Sequence, residues 1–155
     1  MNVTITPGLL QGTITPPPSK SQAHRVLIAA ALSGGGSTLK NVALSQDIEA
    51  TIRCLEVLGA SFRWEGDTLA VTGLAGKPVP QGELPLLDCG ESGSTLRFLI
   101  PIALAVLGGG RFTGHGRLME RPQGPYFDLF REKGISFEQK DGVLTVSGRL
   151  EPGTF

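Results

Sequence analysis

With 155 residues the chain is one domain of ordinary size, long enough to enclose a real core. Fourteen Lys and Arg balance fourteen Asp and Glu, and charged residues make up 18% against 40% hydrophobic. That is the profile of a folded chain, and it argues against a nucleic-acid or anionic-membrane partner held by bulk electrostatics. No apolar run reaches the roughly 18 residues of a membrane span. Asn2–Thr6 lacks the basic start and apolar block of a signal peptide, so the chain reads as cytoplasmic. Cys54 and Cys89, with only two histidines, offer no metal-ligand spacing and read as free, mostly buried thiols rather than a disulfide. The 22 glycines are about twice the usual share and show no collagen period, which assigns them to turns and close backbone approaches.

In chain order, a helix is predicted from about Lys20 to Leu32, ended by the Gly34–Gly36 turn and followed by a strand over Ser37–Val42. A second helix, about Asp47 to Leu58, carries Ile48, Ile52, Leu55 and Leu58 at helical spacing, with Gly59 as its stop. Ser61–Trp64 and Thr68–Thr72 alternate as a hairpin around Glu65-Gly66-Asp67, in which Phe62 and Trp64 read as packing residues. The Gly- and Pro-rich stretch beginning at Leu74 reads as a linker. A strand at Leu86–Cys89 then leads to a helix from about Ser94 to Leu107, in which Pro101 implies a kink or a late start. A strand near Arg111–Gly114, a helix from about Pro122 to Lys133, and a hairpin of Ile135–Gln139 with Val143–Ser147 complete the order.

The second half repeats the first. Gly34–Gly36 recurs as Gly108–Gly110, Leu58–Phe62 as Lys133–Phe137, and Leu69-x-Val71-x-Gly73 as Leu144-x-Val146-x-Gly148, always 74 or 75 residues later. Alternating helices, strands and hairpins give an α/β (α+β) domain made of two similar units of βαβαββ type.

Three helix starts carry cations. Ser19 can cap a helix whose first turn holds Lys20 and Ser21, with Arg25 four residues beyond Ser21 on the same face. A helix N-terminus is already partly positive, so cations there point to a bound phosphate or carboxylate; a solvated Lys/Arg pair is the other reading. At the equivalent place in the second unit, Gly90-Glu91-Ser92-Gly93-Ser94-Thr95-Leu96-Arg97 combines two glycines, hydroxyl donors and Arg97. The third start is Arg117-Leu118-Met119-Glu120-Arg121-Pro122, with Pro122 suited to the first helical position and Arg121 at the helix mouth. Glu120 would orient or pair with an arginine. There is no Walker or Rossmann glycine pattern. His24 and His115 lie beside these motifs with no carboxylate or nucleophile placed by spacing, and read as ordinary structural histidines.

The combination Pro17-x-Ser19-Lys20-Ser21-x-x-x-Arg25, then Gly90–Arg97, then Arg117-x-x-Glu120-Arg121-Pro122 resembles the 5-enolpyruvylshikimate-3-phosphate synthase family from about Gly12 to the end of the chain. The resemblance implies enolpyruvyl transfer from phosphoenolpyruvate to the 5-hydroxyl of shikimate 3-phosphate, with release of phosphate. The route runs through a tetrahedral intermediate and uses no metal or organic cofactor. By the same resemblance Lys20 contacts both substrates, Ser21 and Arg25 hold shikimate 3-phosphate, and Gly93 and Arg121 hold phosphoenolpyruvate where glyphosate competes. Asp47, Ser94, Arg97 and Glu120 take supporting positions. Both substrates are polyanions, which suits an array of Lys, Arg and helix mouths.

Pro18 replaces the family's usual glycine, and Glu91 its common asparagine, which puts a carboxylate near an anion site and is expected to weaken glyphosate binding. Family enzymes are monomers of two lobes, each of three such units, and run to well over twice this length. The expected division is therefore residues 1–11 from the opposing lobe, 12–74 as first unit, 75–85 as linker and 86–155 as second unit. A third unit and the opposing lobe, which carries the acid–base carboxylates, would be missing. Such a fragment is expected to be inactive alone and to expose surface that a homodimer or domain swap would cover. Two other readings stand beside this one. One is a non-catalytic anion-binding module; the other is a relative of the UDP-N-acetylglucosamine enolpyruvyl transferase, against which Ser21 and Arg25 argue.

Overall fold

A computed structural model describes residues 2–9, 11–75 and 82–153, so most of the expected linker lies outside the described residues. The elements are α1 (Lys20–Ala31), β1 (Gly36–Lys40), α2 (Gln46–Val57), β2 (Ser61–Glu65) and β3 (Thr68–Thr72). They continue with β4 (Leu86–Asp88), α3 (Gly93–Leu107), β5 (Gly109–Thr113), a 3₁₀ turn at Leu118–Glu120, α4 (Gly124–Lys133), β6 (Ser136–Lys140) and β7 (Val143–Ser147). The first sheet has the order β1-β3-β2, antiparallel throughout; the second has the order β4-β5-β7-β6, with β4 and β5 parallel.

The repeat is visible in the packing. The hairpins β2–β3 and β6–β7 are offset by 75 residues, Ser61 against Ser136, and alternate buried and open side chains in the same phase. Leu69 and Val71 point inward from β3 as Leu144 and Val146 do from β7. Both turns suit a right-twisted hairpin. Gly66 has φ 64°, and Asp141 and Gly142 both lie in the left-handed region, the geometry of a two-residue loop. The inner faces meet Leu27, Leu55, Leu99 and Phe112 in one continuous core, each side chain contributing about 1.5–3 kcal/mol on full burial.

Helix ends explain much of the chain path. Past Leu58, the Gly59 N–H donates to Glu56 O at 2.9 Å and the Ala60 N–H to Leu55 O at 3.1 Å. That pair of bonds is a Schellman stop, for which Gly59, at φ 110°, supplies the backbone freedom. At the end of α1, by contrast, the Leu74 N–H takes up Ala31 O at 2.8 Å, so the segment after β3 closes the helix. Gly73 makes that crossing possible: a Cβ there would lie 2.1 Å from Ser33 O.

Two expectations are corrected. Pro101 does not delay α3, which is assigned as one helix from Gly93 to Leu107. Proline removes the N–H that would bond to Arg97 O, and the Tyr126 hydroxyl of α4 donates to that carbonyl instead, at 2.6 Å. The last helix starts at Gly124 rather than Pro122, with Pro125 in its first turn, so Arg121 and Pro122 stand in extended chain before it. Phe127 and Phe130 of α4 pack on Phe137 of β6, with ring centroids 4.9 and 5.5 Å apart.

Candidate active site

Three helices begin with the same device. Ser19, Ser45 and Ser92 cap α1, α2 and α3, their hydroxyls accepting from the N–H groups of Gln22, Ile48 and Thr95. The helices lie so that these mouths adjoin. Lys20 Nζ meets Asp47 Oδ2 at 2.6 Å, and one turn further His24 Nδ1 meets Thr51 Oγ1 at 2.8 Å. Both pairs are 27 residues apart, which sets α1 and α2 side by side in the same direction. The first turn of α3 joins them through Thr95 Oγ1, which lies 2.7 Å from Thr51 Oγ1 and 3.3 Å from Asp47 O.

Around this junction stand the residues that the sequence singles out. Lys20 and Ser21 are exposed, and Asp47 is half-buried beside Lys20. Arg25 donates to Ser21 O at 2.7 Å, with its guanidinium 5.1 Å from the Phe98 ring centre. Arg121 reaches back over the mouth of α3: a Cβ on Gly93 would lie 2.8 Å from Arg121 Nη1 and 3.9 Å from Arg97 Nη1. A glycine is therefore needed for the guanidinium to cover that backbone. Arg97, one turn into α3, lies 3.4 Å from Gln123 Oε1. Ser94 is exposed at the same mouth.

The cationic ends of Lys20, Arg25, Arg97 and Arg121 thus surround helix mouths whose only first-turn acids are Asp47 and Glu49 on α2. Guanidinium and ammonium groups so placed have the chemistry for charge-assisted bonds to anions.

Glu120 pairs with an arginine as expected, meeting Arg117 at 3.2 Å. Glu91 turns toward Gly116, where an added Cβ would touch its Oε1 at 2.6 Å, and lines a cavity with Arg53 and His115. His115 Nε2 sits 3.4 Å from Asp88 Oδ2, a neighbour that sequence spacing does not announce. Cys54 and Cys89 are free and buried. Among the described residues no helix is long and apolar enough to cross a membrane.

Sequence reasoning misses Thr51 and the part played by His24, and takes Thr95 as a ligand donor rather than as a buried link between helices. Burial lowers the proton affinity of His24, with Lys20 and Arg25 acting in the same direction and Asp47 opposing them. Only the Ser92-x-x-Thr95 spacing at a helix start offered a signal.

The family model of EPSP synthase (3-phosphoshikimate 1-carboxyvinyltransferase) matches residues 5–152. The chain is 44% identical to the 3-phosphoshikimate 1-carboxyvinyltransferase of Clostridium beijerinckii, covering 99% of this chain and 37% of that one. It is 42% identical to the protein of the same name from Clostridioides difficile, covering 97% and 37%. The chain therefore spans a little over a third of the length of these relatives. An EPSP synthase structure from Acinetobacter baumannii superposes with a TM-score of 0.74 over 88% of this chain and 32% of that one, at 22% identity, a likeness of fold. Carried by the match across residues 5–152, the conclusion is that the chain belongs to the EPSP synthase (3-phosphoshikimate 1-carboxyvinyltransferase) family.

Proposed function

We propose that these residues form the phosphate-gripping part of a site that transfers the enolpyruvyl group of phosphoenolpyruvate to the 5-hydroxyl of shikimate 3-phosphate. The observation that carries this reading is the meeting of Lys20–Asp47 with Gly93–Arg121 at adjoining helix mouths. Ser21 and Arg25 would hold the phosphate of shikimate 3-phosphate, and Gly93 and Arg121 that of phosphoenolpyruvate. Lys20 lies between the two, and Asp47 holds its ammonium at the mouth until substrate arrives. Ser94 and Arg97 support the loop, and Glu120 fixes Arg117.

In the reaction the 5-hydroxyl gives up its proton as its oxygen bonds to C2 of phosphoenolpyruvate, and C3 gains a proton. C3 then loses a proton as the C2–O bond to phosphate breaks. Clustered cations stabilise the phosphate that leaves, which is electrostatic catalysis at fixed positions. The groups that move those protons are assigned to parts of the family fold beyond these residues, so the chain alone is expected to bind without turning over. Glyphosate, an anion of similar charge, would compete beside Gly93 and Arg121.

On the same reading, residues 12–74 and 86–155 are two copies of one unit, joined by 75–85, and residues 1–11 belong to another lobe. The exposure of Val3, Ile5 and Leu9 supports that assignment, and together with that of Ile14 it favours self-association of this chain.

Amide NMR titration with shikimate 3-phosphate, using shikimate as the phosphate-free control, tests the proposal. Saturable shifts at Ser21, Gln22 and Arg25 that shikimate does not produce are expected. A well-dispersed spectrum that responds equally to both compounds, or to neither, would overturn it.

A further inference from the structure

His24 is 1% exposed, yet its ring is not packed as an apolar side chain would be. Nδ1 contacts Thr51 Oγ1, Thr51 Oγ1 contacts Thr95 Oγ1 at 2.7 Å, and Thr95 Oγ1 contacts Ser92 Oγ at 2.7 Å. Asp47 O lies within reach of both threonine hydroxyls, at 3.0 and 3.3 Å. The chain of contacts starts inside α1, crosses α2 and ends on the cap of α3, one residue before Gly93.

The far side of the ring gives it a direction. A carbonyl only accepts, and each threonine has a single hydroxyl proton, which Thr51 can direct to Asp47 O, to Thr95 or to Nδ1. The tautomer of His24 is therefore decided at Nε2, which is buried without a partner. An unmet acceptor costs less than an unmet N–H, so Nε2 is assigned as the bare nitrogen and Nδ1 carries the proton and donates to Thr51.

We propose that His24 is a positioning residue for the anion site: by donating to Thr51 it locks the mouths of α1, α2 and α3 together and so fixes Lys20–Asp47 against Gly93–Arg121. The chain tethers both halves of the site through buried bonds, whereas Lys20 and Arg121 themselves are exposed and would otherwise be set only by long, flexible side chains. This inference rests on the functional reading above for its ligand, but not for its geometry.

Two variants separate positioning from bulk packing. His24→Leu fills the space and removes the donor. His24→Asn places an amide N–H where Nδ1 stands and restores the donor without the rest of the ring. Two readouts are taken on the whole chain: shikimate 3-phosphate affinity by NMR, and hydrogen exchange of the Gln22, Ile48 and Thr95 amides relative to Leu27, Leu55 and Ile100 in the helix bodies. His24→Leu is expected to weaken binding on the order of tenfold, the effect of one lost buried hydrogen bond, and to speed exchange at the three capped amides selectively. His24→Asn is expected to return both to near the wild-type values. Wild-type behaviour in His24→Leu, uniform loss of protection along the helices, or failure of His24→Asn to rescue would each overturn the proposal. If the wild-type chain does not bind shikimate 3-phosphate, the functional reading fails, and the exchange pattern alone decides the role of His24.

Discussion

Pro101 and Tyr126 form a pair whose dependence on each other can be measured. Pro101 deprives Arg97 O of its helical donor, and the Tyr126 hydroxyl supplies one from a neighbouring helix at 2.6 Å. Tyr126→Phe removes that donor and keeps the ring, which lies 5.9 Å from Phe130. Because Arg97 is exposed and water can reach its carbonyl, the cost falls at the lower end for a lost hydrogen bond, about 1 kcal/mol. In a domain of this size that lowers the unfolding midpoint by about 2–4 °C. Pro101→Ala returns an N–H to the helix, so in that background Tyr126→Phe is expected to cost less than about 0.3 kcal/mol. Urea unfolding of the four proteins closes the cycle. An equal cost of Tyr126→Phe in both backgrounds would refute the argument, because the hydroxyl would then serve something other than the vacancy left by proline.

Further outcomes follow from the same geometry. Gly93→Ala sets a Cβ 2.8 Å from the mobile end of Arg121; stability is expected to change by less than about 0.5 kcal/mol, while phosphoenolpyruvate affinity by NMR falls about tenfold as the guanidinium is pushed aside. Gly73→Ala meets backbone instead, Ser33 O at 2.1 Å, and is expected to cost about 2–4 kcal/mol in urea unfolding. His24 holds its proton more weakly in the folded chain than its ordinary value of 6.5, through burial first and then Lys20 and Arg25, against the pull of Asp47. Below 6.5 the unfolded chain therefore binds the extra proton, and the stability present above that value is lost as pH falls toward the folded value. Denaturation midpoints measured between about pH 7 and about pH 5 should fall less in His24→Asn than in the wild type.

How far the sequence could be read depended on the range of the interaction. The hairpins were legible because Glu65-Gly66-Asp67 and Lys140-Asp141-Gly142 carry their own turn chemistry and the flanking residues alternate. Helix α1 was legible from its Ser19 cap, and α2 from its apolar spacing and Gly59 stop, all of them local signals. Pro122 misled because irregular chain before a helix also accepts proline, and Pro125 was available to the true helix start. Pro101 could not be judged locally, since the donor that takes over Arg97 O is Tyr126, 25 residues on. At the site, Lys20, Ser21, Arg25, Gly93 and Arg121 were found by motif. Asp47 against Lys20, and the buried Thr51–Thr95 contact, arise only when separate helices are brought side by side.

The first residues of the chain have an energetic meaning of their own. Val3, Ile5, Leu9 and Ile14 are between 68% and 95% exposed, in backbone that joins neither sheet. Four such side chains represent roughly 6–12 kcal/mol of burial not yet realised, at about 1.5–3 kcal/mol each. A whole domain is held together by only about 5–15 kcal/mol. Any surface that covers this short strip therefore acquires an adhesion comparable to the folding free energy of the body it is attached to, and docking there would be felt as added stability throughout the domain.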